Sequence, residues 1–204
     1  MSFRSEPYLW IHLAGIVTLP LCLEAMWIGL AAGSPFMPLS LEIILLVVIG
    51  VLPWLWVQWT RPFNIFSLLF LAIQPERLTE QQRRILTAFQ SPKTRVLAIA
   101  SAGIMMALLW QVYRFTPLAV PAAMVIQQRW LGLLVAAIAF FLGNLFLQVP
   151  VSVLGVLLTS PQRLAQLEPI EPAQIPQKTT LPGLRVRRIL PFLDAAKATE
   201  KTET

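Results

Sequence analysis

A few polar side chains set in long apolar stretches are the residues of this sequence most able to do chemistry. Glu24 lies in the first such stretch, and Asn144 and Gln148 lie one helical turn apart in the last. A carboxylate at bilayer depth costs about 2.5–3.5 kcal/mol on insertion scales, so Glu24 must be protonated, paired or turned toward water. These three residues form a possible intramembrane polar site. The alternative for each is a structural hydrogen bond to a neighbouring helix.

His12 is the only histidine in the sequence. An imidazole near the end of a membrane span can ligate the metal of a chlorophyll or haem, or relay protons. No second ligand at a matching spacing accompanies it, which favours a hydrogen bond to headgroups or to a neighbouring helix. His12 is therefore only a possible pigment ligand, and we expect no cofactor and no metal site.

The catalytic motifs of common enzyme classes are missing from the sequence. It has no phosphate-binding loop, no zinc-protease motif, no nucleophile elbow and no dinucleotide fingerprint. With one histidine and one cysteine, Cys22, most hydrolytic and redox mechanisms lack the groups they need. We therefore expect a protein that is not an enzyme.

The elements that position these residues are membrane spans. Of the 204 residues, 56% are hydrophobic and only 13% are charged, about half the usual charged fraction of a soluble domain. Crossing a bilayer takes roughly 20 residues of helix. Four stretches meet this length and predict an all-α bundle of four transmembrane helices within residues 1–159. They cover about 9–32, 41–59, 96–113 and 130–158.

The connections add smaller elements. Residues 78–90 read as an amphipathic helix whose start, at Thr79 and Gln82, has the spacing of a capping box. The apolar run 63–73 would be about 16 Å long as a helix, too short to cross, so we expect it at the interface or against the bundle. The tail 160–204 is rich in proline and basic, and we expect its end to be disordered.

Basic residues are distributed unevenly over the two sides of this bundle. Fourteen of the sixteen lie in the N-terminus, the loop 60–95 and the tail, which share one side if there are four spans. The positive-inside rule predicts that this side, with both termini, is cytoplasmic. The net charge of +6 is therefore a topology signal, and nucleic acid is not an expected partner. A possible docking or lipid-headgroup patch comprises Arg83, Arg84, Arg185, Arg187 and Arg188.

Three parts of the chain carry a resemblance. Residues 2–15, the stretch from 61 to 67 continuing at 74–86, and residues 148–153 resemble a family of cyanobacterial membrane proteins named for a low-complexity tail. The resemblance covers about the first 160 residues and implies a thylakoid or plasma membrane. It brings no activity and no functional residue with it.

We therefore expect an integral membrane accessory or assembly protein, which would recruit a membrane protein or a second copy through its loop and tail. One alternative is a small oligomeric transporter or channel component that uses Glu24. The other is a pigment-binding protein that uses His12.

Overall fold

The computed structural model describes residues 3–35, 37–68, 71–180, 183–187 and 189. Its fold is all-α apart from one small sheet. Four helices are long and apolar enough to cross a membrane, each with ends within four residues of those predicted, so the four-span prediction is confirmed. They are α1 (Pro7–Ala31), α2 (Leu39–Thr60), α4 (Pro92–Arg114) and α6 (Arg129–Leu157).

The four long helices alternate in direction. The Nε atom of Arg4, just before α1, donates to the carbonyl of Leu157 at the end of α6, at 3.2 Å. At the opposite end, the indole of Trp27 donates to the carbonyl of Phe115, just after α4, at 2.8 Å. The end that holds Pro7 and Leu157 is covered by a second folded structure, the cap, and we call it the cap end. We call the end that holds Ala31 and Arg129 the distal end.

Helix α6 lies at the centre and packs against α1, α2 and α4. Phe140 of α6 is fully buried, and Phe141 accepts a 2.9 Å hydrogen bond from the indole of Trp54 in α2. The outer faces of the other three helices carry large exposed apolar side chains such as Val17, Ile44 and Val96. This is the pattern of a bundle whose outer surface is in contact with lipid chains.

Two of the long helices are irregular just before a proline, which cannot donate a backbone hydrogen bond. A short 3₁₀ turn, Gly15–Thr18, precedes Pro20 in α1. Helix α2 is interrupted at Val51, just before Pro53. Pro150 lies within α6, where it is buried.

The cap end carries a second structure, which we call the cap: the described residues of 61–91 and 158–187. It contains a sheet of β1 (Ser67–Leu68), β2 (Leu71–Ile73) and β3 (Leu184–Val186), with β2 in the middle. Strand β1 is antiparallel to β2, and β3 is parallel to it. The described residues of the short apolar run 63–73 therefore form strands and turns. Its burial against the bundle agrees with the expectation from its length.

Short helices complete the cap. Helix α3 (Glu80–Phe89) begins at a complete capping box, in which the backbone N–H groups of Thr79 and Gln82 each donate to the other's side chain. The amphipathic helix predicted at 78–90 is thus observed. The tail contributes α7 (Pro161–Ala165) and α8 (Ile175–Lys178), and the distal end has α5 (Thr116–Ala123) between α4 and α6.

One hydrophobic core joins the cap to the bundle. Phe66 of the loop, Ile85 of α3 and Ile175 of the tail are fully buried, in the same cluster as Val153 of α6. Residues 160–180 therefore pack on the loop 60–95 and on the bundle. The predicted disordered end of the tail lies outside the described residues.

Candidate functional site

A buried ion pair connects three helices at the distal end. The guanidinium of Arg129 donates to both carboxylate oxygens of Glu42, with a distance of 2.9 Å from Nε to Oε1. Its third nitrogen donates to the carbonyls of Leu30, at 2.6 Å, and Ala32, at 3.0 Å. The side chains of Arg129 and Glu42 are only 6% and 2% exposed. The pair therefore ties together the end of α1 and the starts of α2 and α6.

This arrangement satisfies both charges. A buried ion pair repays its desolvation only when hydrogen bonds fill the remaining donors and acceptors, and here the planar guanidinium uses three nitrogens. Glu42 also lies in the first turn of α2, where the helix dipole favours a negative charge. Sequence analysis missed this pair. The sequence feature that could have indicated it is an acid and a base at the starts of two helices that begin at the same end of the bundle.

Two glycines bring α1 and α6 into backbone contact beside this pair. A Cβ atom added at Gly29 would lie 2.6 Å from the carbonyl oxygen of Gly132. Gly33 has a φ of +64°, and a Cβ there would lie 2.6 Å from the backbone nitrogen of Arg129. Only a residue without a side chain permits both the close approach and the left-handed turn. The turn places the Ala32 carbonyl against Arg129.

A row of buried polar side chains runs along α6. Asn144, Gln148 and Ser152 follow one another at single-turn spacing, and each is at most 1% exposed. The amide nitrogen of Asn144 donates to the carbonyl of Phe140 in its own helix, at 3.0 Å, in place of the expected bond to another helix. Within the described structure, Asn144 Oδ1, both polar atoms of Gln148 and Ser152 Oγ have no hydrogen-bond partner.

Glu24 lies on a different surface from that row. Its side chain is exposed on α1, next to the exposed apolar residue Leu21, and no ion pair to it is formed among the described residues. Asn144 and Gln148 are buried in the interior, whereas Glu24 faces outward. The structure therefore does not bring the three predicted polar residues into one site.

His12 is half-buried where α1 meets the cap. Its Nδ1 lies 2.8 Å from the carbonyl of Tyr8, and its ring contacts Phe63 with a centroid separation of 5.8 Å. A backbone group of Ser67 also interacts with the ring. These contacts fix the orientation of the imidazole against the cap.

The five arginines proposed as a patch divide into groups. Arg83 donates to the carbonyl of Ile170, at 3.3 Å, and Arg84 donates to the carbonyl of Ala165, at 2.9 Å. These two side chains are half-buried and hold the tail against α3. Arg185 and Arg187 are exposed, at and just after strand β3, and Arg188 lies outside the described residues.

An open groove lies between α3 and α7, with a volume of about 420 Å³. Its walls include Phe3, Gln81, Leu164 and Ala165. The salt bridge between Glu80 and Arg84 forms part of the lining, so the groove combines apolar surface with a balanced pair of charges. It exists only because the loop and the tail fold together.

Comparison with known proteins places the chain in a family. A family model described as low-complexity tail membrane protein-like matches residues 5–191, which is most of the chain and includes the bundle and the cap. No curated protein and no solved structure matches the chain. The four apolar helices agree with the membrane location that the family description states. This chain is an integral membrane protein that belongs to the low-complexity tail membrane protein-like family.

Proposed function

We propose that the protein is a non-enzymatic accessory or assembly protein, which recruits a partner through its cap. The observation that carries this proposal is the folding of loop and tail into one structure with a shared core. A loop that only connected two spans, and a tail that only followed the last span, would need no sheet and no capped helix. They would also need no pair of arginines to hold them together. The cap is the part of the molecule built to present a defined surface.

Two features of the cap suit partner binding. The groove beside α3 offers the exposed residues Pro161 and Ala165 next to the pair of Glu80 and Arg84, a mixture of apolar and polar surface typical of protein interfaces. The exposed basic side chains of Arg185 and Arg187 belong to the same folded unit, where they favour an acidic partner or anionic lipid.

The proposal includes the orientation of the protein in the membrane and the kind of organism it comes from. The basic residues of the loop and tail support a cytoplasmic cap, with both termini on that side. The resemblance noted from the sequence suggests a thylakoid or plasma membrane of a cyanobacterium. Labelling of single cysteines introduced at exposed Lys93 and exposed Gln127, from either side of sealed vesicles, would test the orientation.

Affinity purification in mild detergent tests the proposed recruitment. The tagged full chain should retain a specific partner, and Ala165→Trp, which fills the groove, should release it. Gln166→Trp is the control, because Gln166 is exposed and adjacent but does not line the groove. A protein that always purifies alone, or a partner equally retained by both variants, would contradict docking in the groove.

A second candidate function is a small oligomeric transporter or channel component. The observation in its favour is the row of buried polar atoms on α6, together with an exposed carboxylate at Glu24. The two would need a second copy to meet, since they lie on different surfaces. Glu24→Gln should then reduce ion or proton flux in proteoliposomes, and unchanged flux would exclude this function for Glu24.

A further inference from the structure

A small cavity lies where the cap meets the ends of two membrane helices. It has a volume of about 180 Å³, several times the roughly 30 Å³ of one water molecule. Its lining includes the last three residues of α2, Gln58, Trp59 and Thr60. The remaining polar lining comes from Gln90 just after α3, Arg95 of α4, and Gln177 and Lys178 of the tail.

The position of this cavity matches the headgroup layer of a bilayer. Thr60 ends α2, and Arg95 lies in the first turn of α4, so both residues stand where the apolar spans stop. The indole of Trp59 is half exposed, at 52%, and tryptophan is enriched at this level of membrane proteins. A lipid beside α2 would therefore hold its headgroup at the mouth of the cavity.

The charge of the lining favours an anion. Arg95 and Lys178 are exposed cations, no carboxylate lines the cavity, and neither cation forms a salt bridge with any residue that the structure describes. The guanidinium of Arg95 stacks over the ring of Trp59, 5.3 Å from its centroid, which holds it at the cavity. Gln90 donates to the carbonyl of Lys178, at 3.4 Å, and so fixes the tail at this point.

Gln58 adds a second requirement for the ligand of this cavity. Its side chain is 4% exposed, and its Oε1 atom has no hydrogen-bond partner among the described residues. A buried carbonyl oxygen without a partner is costly, and a hydroxyl group that reached Gln58 through the cavity would remove this cost. The site thus combines two cations with an acceptor for a neutral hydroxyl.

We propose that this cavity binds an anionic headgroup that carries free hydroxyl groups, of the phosphoglycerol type. Arg95 and Lys178 contact the phosphate, and Gln58 Oε1 accepts a hydrogen bond from a glycerol hydroxyl. Because Lys178 belongs to the tail, a bound lipid also strengthens the attachment of the cap to the membrane surface.

Native mass spectrometry of the detergent-purified full chain tests the site. Phosphatidylglycerol should bind at least several-fold more tightly than phosphatidylcholine of the same acyl chains. The double variant Arg95→Gln/Lys178→Gln should bind phosphatidylglycerol about ten- to thirty-fold more weakly, since each basic residue near anionic lipid contributes roughly five-fold. Lys93→Gln/Arg77→Gln is the charge-matched control, because both residues are exposed and neither lines the cavity.

Two further measurements test which headgroup binds and whether the ligand is a lipid. Gln58→Leu should reduce the preference for phosphatidylglycerol over phosphatidic acid, which lacks the glycerol hydroxyls, and should keep the preference over phosphatidylcholine. Competition by water-soluble glycerol phosphate at millimolar concentration would identify a free phosphate as the ligand, and lack of competition would identify the lipid. Equal binding of the two phospholipids, or equal loss in the pocket and control variants, would overturn the proposal.

Discussion

Arg129 and Glu42 form a bidentate salt bridge inside the distal end of the bundle, although 87 positions separate them in the chain. The two charges lie at the starts of α6 and α2, and the same guanidinium binds two carbonyls at the end of α1. Three helix ends therefore depend on one side chain, and this makes the pair the natural place to test what holds the bundle together.

Arg129→Met should destabilise the protein strongly. The variant leaves the Glu42 carboxylate buried without a partner, which costs about 3–5 kcal/mol. Unfolding in mixed micelles with increasing dodecyl sulfate measures this change. Arg114→Met, at an exposed position of the same end, should have little effect, and the pair Arg129→Met/Glu42→Leu should recover much of the loss. A single variant as stable as the double would contradict the role of the ion pair.

Gly29→Ala should separate α1 from α6. The added methyl group meets the Gly132 carbonyl and the backbone of Ala136, and overpacking of this kind costs about 1–3 kcal/mol. Gly103→Ala in α4 is the matched control, because a Cβ there meets nothing within 4 Å. The control should be neutral or stabilising by up to about 1 kcal/mol, since alanine favours helix. Equal effects at both positions would rule out the close helix contact.

Arg83→Gln/Arg84→Gln should loosen the tail without unfolding the bundle. The variant removes the hydrogen bonds that these arginines donate to the Ile170 and Ala165 carbonyls. Limited proteolysis should then cut residues 160–180 several-fold faster, while helicity by circular dichroism stays constant. Arg77→Gln, at an exposed position of the same loop, should leave the cleavage rate unchanged. Unchanged cleavage in the double variant would show that the remaining contacts, the hydrophobic core and the hydrogen bonds from Thr87 and Gln90, are enough to hold the tail.

Gln148→Leu should increase stability. The amide is buried in α6 with both polar atoms unpaired, and its replacement by an apolar group of similar size removes a desolvation cost of about 1–3 kcal/mol. Gln111→Leu, at an exposed position of α4, is the control for added hydrophobicity. A loss of stability on Gln148→Leu would mean that the amide has a bound polar partner, which would favour the second candidate function.

Local sequence patterns predicted the helices of this fold, because a helix depends mainly on residues that are close together in the chain. The four spans follow from runs of apolar residues, and α3 follows from its period and from the capping box at Thr79. The sheet could not be foreseen in the same way. Strand β3 pairs with β2 across more than a hundred residues, so the local sequence of neither segment indicates which strand it pairs with.

The candidate sites show the same division. Glu24 and His12 were singled out because their residue types are unusual in a span, but type does not tell which way a side chain faces. The cavity at Gln58 and Lys178 depends on the tail returning to the end of α2, and the pair of Glu42 and Arg129 depends on the packing of three helix ends. Each is a product of tertiary structure.

The parallel pairing of β2 with β3 has a consequence for biogenesis. Strand β2 leaves the ribosome before α4 and α6, and β3 leaves after both. The sheet therefore cannot close until all four spans have been synthesised, and it closes only if both strands have stayed on the same side of the bilayer. A complete sheet can therefore exist only in a chain whose four spans have been inserted with the loop and the tail on one side of the bilayer.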